Sequence, residues 1–126
     1  MTEDVVVIFP AFEIWGLNRK KPCTILLSDE RMIVLKEERG DGRRPFTGLT
    51  REIESRGLQA FLRGPHYSLP FDRIRWVQVK PSLMGALLKI QTPGGGYRFR
   101  VGRRHSRRLE ERLRDVLGER VKRLGE

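Results

Sequence analysis

The stretch TILLSDERMIVL, residues 24–35, places two apolar runs on either side of Ser28-Asp29-Glu30-Arg31. Short runs rich in β-branched residues, hinged on turn-forming polar residues, pair as a hairpin. The spacing predicts strands over 23–28 and 32–37, and the tight turn between them lets two core-forming strands pair at once. A lone hairpin is marginal in water, so the rest of the chain has to supply what covers it.

The flanking sequence supplies more strands. Residues 5–9 form a continuous β-branched and aromatic run, Pro10 interrupts it, and Phe12, Ile14 and Leu17 resume the apolar content. Proline cannot donate to a ladder interior, so a broken or bulged first strand is expected over 4–16. Asn18-Arg19-Lys20-Lys21-Pro22 reads as a basic loop, and RGDGRRPFTG, residues 39–48, as a loop by composition. From Thr50 the period changes. Thr50 can cap a helix with Glu52 in its first turn, Ile53, Leu58, Phe61 and Leu62 fall near one face, and Gly64-Pro65 stops it, which predicts a helix over 50–63.

Pro70-Phe71-Asp72 reads as a turn and residues 74–80 as a strand. Residues 86–92 and 97–101 read as two strands joined through Pro93-Gly94-Gly95-Gly96. That glycine run feeds a strand, whereas phosphate-cradling loops feed a helix N-terminus, so it is a hairpin turn. Alternation in YRFRV turns Tyr97, Phe99 and Val101 toward the core and Arg98 and Arg100 toward water. Lys89 and Gln91 alternate in the same way against Leu88 and Ile90. A regular pleat through DRIRWVQVK sets Trp76 opposite Arg73 and Arg75. Leu109, Leu113, Val116, Leu117, Val121 and Leu124 recur at spacings of three and four, which predicts a helix over 103–124 with Gly125 just past its end.

Charge bears on partners. The 126 residues carry 26 Lys and Arg against 16 Asp and Glu, a formal net charge of +10. Such a field attracts polyanions: nucleic acid, an anionic membrane surface or an acidic protein. Arginine also accumulates on solvated faces in high-GC or heat-adapted hosts, so charge alone does not name a partner. No stretch approaches the roughly 20 apolar residues of a membrane span. The acidic start, Met1-Thr2-Glu3-Asp4, lacks the basic region of a signal peptide. One cysteine cannot form an internal disulfide. A single cytoplasmic domain over 1–126 is expected, able to sit peripherally at a membrane.

The pattern offers little for catalysis. His66 and His105 lie far apart and Cys23 stands alone, so no metal-ligand spacing appears. Cys23 reads as a small core residue. Glu37-Glu38 and Glu110-Glu111 lie among arginines and read as ion-paired surface. No catalytic residue, metal or cofactor is expected. The candidate anion-binding residues are Arg19, Lys20, Lys21, Arg73, Arg75, Lys89, Arg98 and Arg100.

The order of elements resembles a pleckstrin-homology-like domain, in particular its GRAM-like and bacterial branches. CTILLSDERMIVLKEE (23–38) is similar to those families' G-x-L-x-L-T-N-x-R-L-I hairpin, with Ser28-Asp29 where Thr-Asn is usual. LPFDRIRWVQVK (69–80) is similar to their I-P-L-x-D-I-x-S-V segment. LLKIQTPGGGYRFRVG followed by a helix completes the set. The resemblance implies an α+β fold: an open β-barrel of two antiparallel sheets capped by the C-terminal helix, with the helix near 50–63 as an insertion. It also implies a noncatalytic binding module for a protein partner or an anionic lipid surface. Arg19-Lys20-Lys21 matches the first part of the inositide-binding signature of such domains, but CTILLSDE lacks its Arg-x-Arg. Nonspecific nucleic-acid binding through the Arg-rich surface is the alternative.

Overall fold

The computed structural model describes residues 5–17, 19–36 and 66–124. The helix expected over 50–63 and the loop over 39–48 lie outside these residues. In chain order the elements are β1 (Val5–Trp15), β2 (Arg19–Ser28), β3 (Arg31–Lys36), β4 (His66–Pro70), β5 (Trp76–Ser82), β6 (Gly85–Thr92), β7 (Gly95–Gly102), α1 (Arg103–Leu117) and β8 (Val121–Arg123). The fold is mostly β, with one C-terminal helix among the described residues.

Hydrogen bonds join all eight described strands into a single sheet in the order β4-β3-β2-β1-β7-β6-β5-β8. The join falls at β1, which pairs with β2 along nearly its whole length but with β7 only from Ala11 to Glu13. Neighbouring pairs are antiparallel except β5 and β8, which run parallel.

The inner face carries Phe9 and Ala11 of β1, Cys23, Ile25 and Leu27 of β2, and Met32 and Val34 of β3. It continues with Val77 and Val79 of β5, Leu88 and Ile90 of β6, and Phe99 and Val101 of β7, all buried in one cluster with Leu109, Leu113 and Leu117 of α1. Leu69 of β4 and Val121 of β8, from opposite edges, belong to the same cluster. The sheet therefore curls around one core. Arg120 helps to close it. Its Nη1 donates to the Phe71 carbonyl at 3.1 Å and the Ile74 carbonyl at 2.8 Å, tying the chain after α1 to the link between β4 and β5.

Hairpin β2–β3 forms as expected. Ser28, fully buried, organises its turn: Oγ accepts from the Glu30 and Arg31 amides, both at 3.1 Å, and donates to the Arg31 carbonyl at 3.2 Å. These local bonds satisfy backbone groups that a two-residue connection leaves open. Leu26 and Ile33, on the opposite face from the core cluster, are fully buried as well. That two-sided burial is why this hairpin reads as continuous apolar sequence rather than as alternation.

Pro70 ends the edge strand β4, and the other strand prolines sit where a missing amide costs least. Pro10 lies just before the β1–β7 ladder, Pro22 just before the β2–β3 ladder, and Pro81 beyond the β5–β8 ladder, so each has a paired strand on one side only. The break expected at Pro10 does not occur: β1 keeps one register with β2 from Val7 through Pro10 to Trp15, and its register shift lies between Val5 and Val7.

Three other expectations are corrected. Residues 19–22 are the start of β2 rather than a loop, because β1 runs on to Trp15 and keeps a partner for them. β4 was not expected; its HYSLP sequence is short and ends in proline. The C-terminal helix stops at Leu117. Gly118 adopts φ +60°, where glycine carries no Cβ penalty, and the chain turns through residues 118–120 into β8. Val121 keeps helical spacing in the sequence but is buried as a strand residue.

Candidate functional site

The β1–β2 end gathers most of the unusual chemistry. β1 and β2 pair Glu13 with Lys21, Ile14 with Lys20 and Trp15 with Arg19. Strand alternation therefore divides the basic trio. Arg19 and Lys21 share the inner-face side with Glu13 and Trp15, whereas Lys20 shares the outer face with Phe12 and Ile14. In the turn beyond, Leu17 is 95% exposed.

A cleft of about 430 Å³ opens here, lined by Glu13, Trp15, Lys36, Tyr67, Tyr97 and Arg98 among others. Glu13 continues the inner-face series Phe9, Ala11, and is only 8% exposed. The Tyr67 hydroxyl donates to Glu13 Oε2. Burial, reinforced by this carboxylate, holds the Tyr67 phenol well above its usual pKa, so it stays a donor. The Tyr67 and Tyr97 rings stack with centroids 5.4 Å apart. Two ammonium groups face Trp15, Lys21 Nζ at 5.0 Å and Lys36 Nζ at 5.1 Å from the ring centroid. Lys36 Nζ is also 5.5 Å from the Tyr67 ring. These distances suit cation–π attraction. Arg98 Nη2 donates to the Gly16 carbonyl, fastening β7 to the β1–β2 turn.

The other expected residues fall into two groups. Lys89 and Arg98 are register partners on the outer face, and Arg100 lies between Phe12 of β1 and Leu87 of β6 on the same face. With Lys20 they form a basic strip across β2, β1, β7 and β6. Among the described residues, no carboxylate lies on that face of these strands. Arg73 lies in a single 3-10 turn, residues 71–73, and Arg75 precedes β5, so neither joins the strip. The same turn breaks the regular pleat. Trp76 pairs with Gln91 and takes the outer-face alternation, while Val77 and Val79 point inward. The YRFRV alternation holds for Phe99 and Val101, which are buried, Tyr97, which packs against the core, and Arg100, which is exposed; Arg98 is half-buried and hydrogen-bonded rather than free in water.

The roles of Glu13, Trp15, Lys36 and Tyr67 escaped the sequence reading. A signal existed at Glu13, a carboxylate at a core-parity position of an apolar strand. Lys36 and Tyr67 meet only through the β3–β4 pairing, which short-range pattern does not reveal. Among the described residues, no cluster of His, Cys, Asp and Glu suits a metal ion, and no helix is long and apolar enough to cross a membrane.

No family model matches the chain, and no curated protein sequence matches it. Solved structures do. The C-terminal domain of an unknown protein from Leishmania infantum aligns with TM-score 0.60 at 10% identity, covering 91% of this chain and 84% of that one. The hSac2 domain from the human phosphoinositide phosphatase Sac2 aligns with TM-score 0.58 at 11% identity, covering 98% of this chain and 77% of that one. At such identities the likeness is one of fold.

Proposed function

We propose that the chain is a noncatalytic binding module of the pleckstrin-homology-like, GRAM-like type. In this reading β1–β4 and β5–β7 act as two antiparallel sheets of an open barrel that share β1, with α1 closing one end. The β1–β2 end docks peripherally on an anionic membrane surface on the cytoplasmic side. One observation carries this: Leu17, 95% exposed, stands at a turn between Trp15 and the cations Arg19, Lys20 and Lys21. An apolar tip ringed by cations suits a bilayer interface, where the tip enters the acyl boundary and the cations meet headgroup phosphates. The fold likeness to a domain of a phosphoinositide phosphatase supports a lipid setting.

The test is cosedimentation with phosphatidylcholine vesicles, with and without phosphatidylserine, over a salt series. Binding should require the anionic lipid and weaken with salt, because surface charges are screened over about 10 Å at 0.1 M. Changing Arg19, Lys20 and Lys21 together to Gln should cost about 1 kcal/mol per charge, and Leu17→Ser should weaken binding further. An absence of binding, or indifference to the triple change, removes this end as a membrane site and leaves a protein partner as the reading.

The basic strip favours a second reading: Arg100, Arg98 and Lys89 on the outer face suit nonspecific contact with nucleic-acid phosphates.

A further inference from the structure

The cleft at the β1–β2 end has its charges arranged by depth. Its deep carboxylate, Glu13, is 8% exposed. Tyr67 gives it one hydrogen bond, and no ion pair among the described residues includes it. Lys21 is its cross-strand neighbour on the same face but stands over the Trp15 ring rather than in an ion pair with it, so the buried carboxylate keeps only the Tyr67 hydrogen bond against the cost of its lost hydration. The mouth has the opposite sign: Lys36 is exposed and Arg98, held to the Gly16 carbonyl, is half-buried, both lining the cleft, while Lys21 stands beside it over the Trp15 ring. Between them lie Trp15, Tyr67 and Tyr97. Two of these rings already hold an ammonium group at their faces, Lys36 at 5.1 Å from Trp15 and 5.5 Å from Tyr67.

This order of charges selects among ligand classes. A simple anion seated deep in the cleft would meet the Glu13 carboxylate at close range. A simple cation would have to pass Lys21, Lys36 and Arg98. A compact molecule with a cationic end and an anionic end satisfies both levels, the cation against Glu13 and the aromatic rings, the anion among the amines and guanidinium. Aromatic faces are suited to alkylated ammonium groups, and arginine and lysine to phosphate oxygens.

We propose that this cleft binds a zwitterionic phosphate ester, with an ammonium and a phosphate two carbons apart as in phosphoethanolamine and phosphocholine. The ammonium goes in first, toward Glu13, and the phosphate stays at the mouth with Lys36 and Arg98. Such a group can come from a lipid headgroup or from a free ester. The membrane reading above bears only on which source is used, so the two ideas fail separately.

The experiment is an NMR titration of the full chain with phosphocholine, phosphoethanolamine, ethanolamine and inorganic phosphate, each added alone. The chain has two tryptophans, Trp15 and Trp76, and only Trp15 lines this cleft. The zwitterions should shift the Trp15 indole signal, leave that of Trp76 unmoved, and bind at least tenfold more tightly than ethanolamine or phosphate. Glu13→Gln keeps an acceptor for Tyr67 and should weaken zwitterion binding tenfold or more without weakening phosphate. Lys36→Gln, at an exposed position, should weaken it too and serves if the Glu13 variant fails to fold. Vesicles of phosphatidylcholine and phosphatidylethanolamine that compete with phosphocholine point to a lipid source. Binding of the free ester without vesicle competition points to a small-molecule source. Equal binding of phosphate alone, zwitterion binding unchanged in both variants, or no shift of Trp15 overturns the proposal.

Discussion

Gly85 opens β6 at φ +141°, and a Cβ built on it would lie 2.0 Å from the Val101 carbonyl oxygen and 3.0 Å from the Arg103 amide nitrogen. Backbone atoms cannot yield as a side-chain tip can. The glycine therefore lets the β5–β6 hairpin press against the junction of β7 and α1. Gly85→Ala should destabilise the protein by at least about 1–3 kcal/mol, the usual cost of holding a non-glycine residue in a sparsely populated backbone region. Gly102 is the matched control. It has φ −66° and nothing within 4 Å of a built Cβ. Gly102 is the N-cap of α1, where glycine is preferred to alanine, so Gly102→Ala should cost no more than about 1 kcal/mol, less than Gly85→Ala. Urea denaturation of both variants checks this, and an equal response at the two sites would mean that Gly85 is not closely packed.

At the level of elements, α1 covers the inner face of the curled sheet with Leu109, Leu113 and Leu117, one residue per turn. Its outer side pairs Arg107 with Glu111 at 3.5 Å, an exposed ion pair worth little, and the largely covered Glu110 bridges Arg114 at 3.1 Å and Arg123 at 3.7 Å. The helix is held by its apolar stripe, so Leu113→Ala, at a fully buried position, should cost about 2–5 kcal/mol in denaturant melts. A loss well under 1 kcal/mol would show that α1 does not close the core. The stripe was legible because helical period and burial coincide. The end of the helix was not, because Val121 continues the same spacing and Gly118 carries the decisive information in its backbone. Hairpins β2–β3 and β6–β7 were legible because their turns are local. The pairing of β3 with β4 and of β1 with β7 was not, and with it went the cleft, whose lining residues come from strands far apart in sequence.

The whole molecule is a polycation with net charge +10, and its outer sheet face decides how a nucleic acid could bind. Row by row across that face, Phe12 stands between Pro22 and Arg100, and Lys89 pairs with Arg98. Binding by successive base stacking needs several exposed aromatics along the path of the strand. Here Phe99 is buried and Tyr97 packs on the core, which leaves Phe12 beside the arginines and Trp76 half-buried two strands away from β7. The face therefore offers phosphate-binding cations without a base-reading surface. DNA or RNA binding should be indifferent to sequence, with log affinity falling linearly in log salt by about 0.7–0.9 per phosphate neutralised. Arg98→Gln with Arg100→Gln should lower affinity evenly across sequences and reduce the salt slope by about one for each phosphate no longer neutralised. Phe12→Ala should change single-strand affinity by far less than the roughly 1–3 kcal/mol of a stacking aromatic. Fluorescence anisotropy with scrambled single- and double-stranded oligonucleotides over a salt series measures all three. Binding that survives about 0.5 M salt, a clear sequence preference, or a full stacking penalty at Phe12 would place nucleic-acid recognition ahead of the membrane.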